Sequence, residues 1–202
     1  NYLYVTTGDA GKTELAQNTK SLDGKILRIK DDGSIPKDNP FKNEVWSYGH
    51  RNVQGITWDN LGRMWATEHG PSGAESGHDE LNLIESGKNY GWPTIRGAES
   101  KEGMVSPIVQ SGANETWAPA GIAYYNNSLF FAGLRGESIY EAKLLEGNKV
   151  SLKSHLRKEF GRIRAVVLGP DNLLYITTSN TDGRGSFDPN DDKIIRINPK
   201  LF

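Results

Sequence analysis

The stretch DNLGRMWAT at residues 59–67 is a polar turn followed by a short apolar strand, and the same pattern recurs along the chain. A second strand, DELNLI at residues 79–84, follows it after a glycine-rich loop. Matching pairs of strands occur at residues 2–7 and 24–29, 125–132 and 138–142, and 171–178 and 192–197. Each unit is therefore a tight turn, a strand, a variable loop and a second strand.

The spacing of these units predicts the fold class. Leu3, Met64, Leu129 and Leu173 hold equivalent positions, separated by 61, 65 and 44 residues. Repeats of about 40–50 residues are typical of propeller blades, and inserted loops lengthen them. We therefore expect an all-β chain that forms a partial β-propeller, with one short helix at Thr13–Gln17. The alternative is a generic β-sandwich with repeated hairpins. An open ring would leave strand edges that can pair with a second copy or with another chain.

Composition excludes several classes of function. Lys and Arg total 24 and Asp and Glu total 25, a balance that disfavours nucleic-acid and membrane-surface binding. No apolar run approaches the roughly 20 residues of a membrane span. The chain has 0 Cys, which is compatible with an oxidising compartment. It also lacks a dinucleotide fingerprint, a Walker loop and a serine nucleophile elbow, so nucleotide and serine-hydrolase chemistry are disfavoured.

Arginines at two places are candidates for binding an anion. Arg51 and Asn52 follow a strand end, and Gln54 adds a further amide donor. A guanidinium grips a carboxylate through two hydrogen bonds, although a surface ion pair explains Arg51 equally well. Arg162 and Arg164 are two residues apart, which predicts one face of a strand. Either an anion lies between these two like charges, or solvent screens them.

Residues 70–80 are a candidate metal site. Ca²⁺ takes six to eight oxygen ligands from carboxylates and main-chain carbonyls. The loop at residues 72–77 can turn carbonyls inward, Glu80 supplies a negative charge, and the Tyr90 carbonyl follows shortly after. The alternative is a flexible acidic loop. A second acidic segment at residues 182–192 fails the EF-hand spacing, so we expect a solvated loop there.

The four histidines do not have metal-ligand spacing. Asp9 lies in a Gly-Asp-Ala-Gly turn, where it is first of all a turn residue. A carboxylate at such a place can also orient a histidine base by fixing its tautomer.

Taken together, these residues resemble the soluble quinoprotein glucose dehydrogenase and aldose sugar dehydrogenase family. The matching segments, in the family's order, are GDAG (8–11), DGKILR (23–28), DGSIP (32–36), YGHRNVQG (48–55), EHGP (68–71), DELNLI (79–84), NYGWP (89–93) and GRIR (161–164). The resemblance implies a six-bladed propeller, of which this chain covers roughly the last four blades. The N-terminal blades would then be missing from residues 1–202.

The resemblance also implies cofactors and ligands. The family binds pyrroloquinoline quinone (PQQ) and Ca²⁺ and oxidises aldose sugars to lactones, with hydride transfer to the quinone and an external electron acceptor. By position, the residues that resemble PQQ contacts are Arg51, Asn52, Gln54, Thr116, Arg135, Arg162 and Arg164. Gly70 and Pro71 resemble the residues whose carbonyls hold the Ca²⁺ beside the cofactor. Glu80 and Tyr90 resemble ligands of a second, structural Ca²⁺.

The chain differs from the family at the histidine that acts as the catalytic base. Asp9 resembles the carboxylate that orients the catalytic histidine, but that histidine would precede Asn1 by about ten residues, and none of the four histidines replaces it by position. We therefore expect little turnover from this chain alone. We also expect the protein to be periplasmic or secreted. The rival hypothesis is a non-catalytic propeller that binds a protein partner, as animal members of the group do. A third possibility is a complex with a separate N-terminal half.

Overall fold

The protein is built from four antiparallel β-sheets. The structure, a computed structural model, describes the backbone of residues 1–202 and every side chain except that of Ala74. Sheet 1 contains β1 (Tyr2–Thr7), β2 (Lys25–Lys30) and β3 (Val45–Tyr48). Sheet 2 contains β4 (Val53–Trp58), β5 (Met64–Glu68), β6 (Glu80–Ile84) and β7 (Val109–Gln110).

The other two sheets follow in chain order. Sheet 3 contains β8 (Pro119–Tyr125), β9 (Ser128–Gly133), β10 (Ser138–Leu144) and β11 (Val150–His155). Sheet 4 contains β12 (Ile163–Leu168), β13 (Leu174–Thr178) and β14 (Ile194–Ile197). Short 3₁₀ helices span Thr13–Gln17, Gly73–Glu75, Glu146–Asn148 and Pro199–Leu201. Among the described residues, no helix is long and apolar enough to cross a membrane.

The predicted repeat is confirmed, because each pair of matched segments forms one antiparallel hairpin. The four hairpins are β1–β2, β5–β6, β9–β10 and β13–β14. The short helix at Thr13–Gln17 is present as a 3₁₀ turn. The all-β propeller prediction is confirmed, with each sheet corresponding to one blade.

The sheets pack side by side through their first strands. β4 lies against β8, and β8 lies against β12. Two glycines permit this approach. A Cβ on Gly55 would lie 2.5 Å from the carbonyl oxygen of Ala120, and one on Gly121 would lie 3.0 Å from Cα of Ala165. Larger side chains at these positions would push neighbouring blades apart.

Apolar layers fill the spaces between adjacent sheets. Ile26, Met64 and Ile84 lie in the layer between sheets 1 and 2. Trp65, Trp117, Phe131 and Tyr140 lie in the layer between sheets 2 and 3. Phe130, Ile139, Val166 and Ile176 lie in the layer between sheets 3 and 4. The core is thus split among the interfaces between blades, and the connecting loops are left to build a site at one end.

Sheets 1 and 4 carry large apolar side chains that face solvent. Tyr2 and Leu3 on β1, Val167 on β12 and Ile194 on β14 are all more than half exposed. Burial of such exposed apolar surface favours association.

Candidate functional site

Loops from sheets 2, 3 and 4 meet around a cavity of about 380 Å³ at one end of the strands. Its lining consists of His69, Gly70, Pro71, Ser72, Gly73, Ser76, Asp79, Thr116, Ala118, Leu134, Arg135, Arg162 and Arg184. We call it the arginine cavity, after its three guanidinium groups. Five of the residues predicted for the site lie in this lining: Gly70, Pro71, Thr116, Arg135 and Arg162.

One wall of the arginine cavity is the turn at residues 69–71. The Gly70 amide donates to Oδ1 of Asp79 at 2.9 Å. A Cβ at position 70 would lie 2.0 Å from the carbonyl oxygen of Gly77, so the turn requires glycine. Among the described residues, the main-chain oxygens of Gly70 and Pro71 accept no hydrogen bond. They are therefore available to a cation.

Asp79 fixes the geometry of this wall, and sequence reasoning gave it no role of its own. Its Oδ2 accepts from the amides of Trp117 at 2.7 Å and Ala118 at 2.8 Å. Together with the bond to Gly70, these contacts tie the loop after β5 to the loop before β8. Although Asp79 is an anion in the lining, its oxygens are already engaged by amides of the protein.

The opposite wall is cationic. Arg162 is buried and donates from Nη1 to the carbonyl oxygen of Leu134 at 3.3 Å. Arg135 and Arg184 complete the group of three guanidiniums. Because the anionic member of the lining is Asp79, the cavity carries an excess of positive charge and suits an anionic guest.

Arg162 and Arg164 were predicted to share one face of a strand, and their guanidiniums do reach the same oxygen of Asp182, although Arg162 lies just outside the strand. Arg162 precedes β12, and the register of β12 with β13 shifts between Ile163 and Ala165. A bulge at this point interrupts the alternation of side chains. As a result, Arg162 is buried in the cavity wall, while the Arg164 side chain is 46% exposed. The two guanidiniums still converge, because both bind Asp182.

Arg51 reaches the rim of the arginine cavity. Its Nη2 donates to Oγ of Ser72, which is in the lining, at 2.5 Å. Its amide donates to Oε1 of Glu68 at 2.5 Å. The buried carboxylate of Glu68 also lies 2.8 Å from Nδ1 of His50. The main chain at Arg51 is therefore held by a buried pair, while its side chain extends toward the site.

Asn52 and Gln54 have a different environment. Gln54 Nε2 donates to Asn52 Oδ1 at 3.1 Å, and the Asn52 carbonyl accepts from the amide of His69. Asn52 thus supports the turn at residues 69–71 through its main chain. Among the described residues, Asn52, Gln54 and Arg164 are not in the lining of the arginine cavity.

Asp9 lies next to Arg51. Its amide donates to the Arg51 carbonyl at 2.9 Å, and its Oδ1 accepts from the amide of Gly11 at 3.0 Å. Its Oδ2 accepts from Nε1 of Trp92 at 2.8 Å. The carboxylate is thus both a turn residue and a group of fixed orientation at the same end of the strands.

A second, narrow cavity of about 10 Å³ lies behind the first. The two share His69, Gly70 and Pro71, and Glu80 and Tyr90 line only the second one. Burial, reinforced by the negative charge of Glu68, raises the pKa of Glu80 to about 8. A volume of this size holds about one water molecule or ion.

Several oxygen atoms in or beside the narrow cavity are candidate ligands for a hard cation, and the positively charged residues Arg51 and Arg96 also line this cavity. Glu80 accepts from the amide of Gly97 and from Nδ2 of Asn82. Oδ1 of Asn82 is buried and, within the described part of the chain, has no hydrogen-bond partner. The Tyr90 carbonyl likewise accepts no bond among the described residues. In that same set, no three His, Asp or Glu side chains are grouped as a metal site, so main-chain oxygens would have to contribute.

His69 and Arg184 line the arginine cavity but were not predicted as site residues. Nε2 of His69 is buried and lacks a hydrogen-bond partner among the described residues. Burial lowers the pKa of His69, which favours the neutral ring. Arg184 lies between Gly183 and Gly185 in the loop after β13, and this pair of glycines was the one available signal of a structured turn.

Comparisons with known proteins give the context of this site. The family model described as Glucose / Sorbosone dehydrogenase matches residues 1–195. The aldose sugar dehydrogenase YliI of Escherichia coli is 34% identical over 228 residues, covering 98% of this chain and 57% of the relative. Quinoprotein glucose dehydrogenase B of Acinetobacter calcoaceticus is 36% identical over 137 residues, covering 56% of this chain and 28% of that protein.

A solved structure shows the same fold. The PQQ-bound aldose sugar dehydrogenase of Streptomyces coelicolor superposes with a TM-score of 0.89 at 43% identity. The match covers 98% of this chain and 58% of that chain, so the present chain spans little more than half of the length of these relatives. The family match over residues 1–195 identifies the chain as a member of the glucose/sorbosone dehydrogenase family, which contains sugar oxidoreductases.

Proposed function

We propose that this chain forms the cofactor-binding part of a PQQ- and Ca²⁺-dependent dehydrogenase that oxidises aldose sugars to lactones. The observation that carries the proposal is the arginine cavity. It places Arg135, Arg162 and Arg184 beside Gly70 and Pro71, whose main-chain oxygens are unpaired among the described residues. Cations for an anionic guest and oxygens for a hard metal ion thus lie in the same small space.

The cavity suits PQQ in charge and in size. PQQ is a flat molecule with three carboxylates, and guanidinium groups are the side chains that bind carboxylates most specifically. A volume of about 380 Å³ lies within the usual range for pockets that hold small ligands. Thr116 adds a hydroxyl that can donate or accept.

Ca²⁺ would be held beside the guest by the carbonyls of Gly70 and Pro71. A second Ca²⁺ would be held by Glu80 and the carbonyl of Tyr90 in the narrow cavity. Both sets consist of oxygens, the ligands that Ca²⁺ prefers. A cation between Glu68 and Glu80 would also offset the burial and the Glu68 charge that together raise the pKa of Glu80.

Residues of the chain bind the carboxylates of the cofactor, orient the catalytic base and support the loops of the cavity. Arg135 and Arg162 bind carboxylates, and Asp79 keeps the two loops of the cavity in register through its three amide bonds. Asp9, fixed by Trp92, orients a histidine base supplied from outside residues 1–202. When bound, PQQ supplies the electron-accepting group and Ca²⁺ the Lewis acid beside it.

Further parts of the proposal concern the whole protein. We expect little turnover by this chain alone, reoxidation by an external electron acceptor, and a periplasmic or secreted location. The apolar edges of sheets 1 and 4 are expected to be covered by further blades, supplied either by an N-terminal half or by another copy of the chain. The exposed Tyr2, Leu3 and Ile194 support this expectation.

A titration with PQQ in the presence of Ca²⁺, followed by the tryptophan fluorescence of the chain, tests binding. Arg162→Ala should weaken binding at least tenfold. Arg157→Ala is the matched control, because it removes the same charge from an exposed position outside the cavity. Equal affinity of the two variants, or no binding by the unmodified chain, would contradict the proposal.

The alternative is a non-catalytic module that binds a protein partner through the exposed apolar residues of sheets 1 and 4. A dye-reduction assay on the assembled protein, with PQQ, Ca²⁺ and a panel of aldoses, separates the two functions. Dye reduction by any aldose supports the dehydrogenase. Its absence together with a lack of PQQ binding would favour the module.

A further inference from the structure

The loop between β13 and β14 places the carboxylate of Asp182 against the guanidinium groups of Arg162 and Arg164, which we call the guanidinium pair. One oxygen of Asp182, Oδ2, accepts from Arg162 Nη2 at 3.0 Å, Arg162 Nε at 3.3 Å and Arg164 Nη2 at 3.2 Å. Ser179 Oγ lies 3.3 Å from the same oxygen. The other oxygen, Oδ1, accepts from the amide of Arg184 at 3.0 Å. The segment predicted as a solvated acidic loop is exposed at Asp182, and the carboxylate of Asp182 nevertheless has a defined contact with the site.

Asp182 is charged in this environment. Partial burial alone would raise its pKa, but the hydrogen bonds from Arg162 and from the amide of Arg184 outweigh burial, and the net pKa is below the ordinary value. One negative charge therefore faces two positive charges. Arg162, Arg164 and Asp182 together therefore carry one net positive charge. Arg135 and Arg184 add further positive charge in the arginine cavity.

Arg162 still has donors for a guest. A guanidinium carries five N–H groups. Asp182 and the Leu134 carbonyl take three of those on Arg162, and the other two have no partner among the described residues. A carboxylate guest can therefore bind Arg162 without removing Asp182, but it must then lie near the Asp182 charge and be repelled by it.

We propose that Asp182 is a built-in counter-anion that stabilises the empty guanidinium pair and limits the affinity of the site for carboxylate ligands. The inference rests on the proposed function in taking PQQ as the guest. Asp182 is a positioning residue, since it acts through Arg162 and Arg164. Without it, the two guanidiniums would repel each other in the empty protein, and a bound carboxylate would relieve that repulsion.

Two effects of opposite direction follow for Asp182→Asn. The empty protein should unfold at a lower temperature, because the guanidinium pair loses its anion. The affinity for PQQ should rise at least threefold, because the guest no longer faces a like charge. A residue with only a structural role would lower both stability and affinity when replaced.

The experiment uses the full chain with Asp188→Asn as the matched control. Asp188 lies on the same loop and is exposed, and its replacement removes the same charge, but among the described residues its carboxylate accepts only from the amide of Asn190. Thermal unfolding of the empty protein and fluorescence titration with PQQ are measured for both variants at one ionic strength. Asp188→Asn should leave PQQ affinity within a factor of 1.5. An unchanged or weaker affinity of Asp182→Asn would overturn the inference.

A second probe separates failure of this inference from failure of the proposed function. Citrate is a tricarboxylate without redox chemistry, and its binding is followed by the shift in unfolding temperature. If PQQ does not bind the unmodified chain, the proposed function fails. A larger citrate-induced shift for Asp182→Asn than for the unmodified chain would still support the counter-anion, and an equal or smaller shift would overturn it.

Discussion

The amide of Arg51 donates to the carboxylate of Glu68 at 2.5 Å, and the other oxygen of that carboxylate lies 2.8 Å from Nδ1 of His50. Nε2 of His50 in turn lies 2.8 Å from Oγ of Ser47. Glu68 and His50 are almost completely buried. The position of a candidate cofactor-binding arginine therefore depends on a buried pair, of which Glu68 also lines the narrow cavity.

Glu68→Gln should cost both stability and affinity. Replacing one partner of a buried, hydrogen-bonded pair leaves the other poorly satisfied, and we expect the free energy of unfolding to fall by about 2–4 kcal/mol. Affinity for PQQ should fall as well, because the main chain at Arg51 is released. Urea unfolding and PQQ titration measure the two effects.

The exposed Glu146→Gln is the control for this variant, since it removes the same charge from a surface turn. A free energy of unfolding that is equal in the two variants would show that the His50–Glu68 pair does not hold the loop.

Ca²⁺ should stabilise the chain through Glu80. The buried carboxylates of Glu68 and Glu80 lie near one another, so a Ca²⁺ held between them would bind the folded state selectively and raise its stability. Millimolar CaCl₂ should raise the unfolding temperature, and EDTA should reverse the shift. Glu80→Gln should abolish most of this response.

Glu102→Gln, at an exposed position, should keep the full response to Ca²⁺. A Ca²⁺ shift of the same size in Glu80→Gln and Glu102→Gln would place the ion elsewhere.

The environment of Lys25 should make the stability of the protein depend on pH. Its side chain is fully buried, and Nζ donates to the carbonyls of Leu15 at 2.9 Å, Ala16 at 2.9 Å and Asp23 at 2.6 Å. Burial lowers the pKa of Lys25 from 10.5 to about 8, partly opposed by the charge of Asp23. Between these two values the unfolded chain binds more protons, so the stability contributed at Lys25 rises with pH.

Lys25→Met removes this titration. The free energy of unfolding of the unmodified chain, relative to the variant, should rise by roughly 2–3 kcal/mol as the pH increases from 8 to 10.5. Lys20→Met, at an exposed position, should show no such trend. A difference that stays constant or falls over this range would show that Lys25 titrates normally in the folded protein.

Some strands of the fold could be predicted from the sequence and others could not. The hairpins β5–β6 and β13–β14 were predictable, since polar turns precede alternating apolar residues. The first strands of sheets 2, 3 and 4 were not part of the predicted repeat. β4 and β8 contain Gly55 and Gly121 where neighbouring strands approach closely, and the register of each strand shifts near its start. Small residues and bulges remove the alternation by which a strand is recognised.

The same distinction applies to the site. Arg162 and Gly70 could be predicted because they lie in short motifs with a chemical meaning. Asp79 and Asp182 could not, because their roles depend on partners that only the fold brings near. Asp79 binds amides 38 and 39 residues away, and Asp182 binds Arg162 across 20 residues. Side-chain contacts of this range leave no local pattern in the sequence.

We propose that Arg162, Arg135 and the Gly70–Pro71 turn enclose one binding site for an anionic ligand and its cation. A crystal structure of the chain soaked with PQQ and CaCl₂ is the decisive test. We expect PQQ density in the arginine cavity, with a carboxylate within hydrogen-bond distance of Arg162 and a Ca²⁺ on the carbonyls of Gly70 and Pro71. PQQ bound at another surface, or an empty cavity at saturating PQQ, would contradict it.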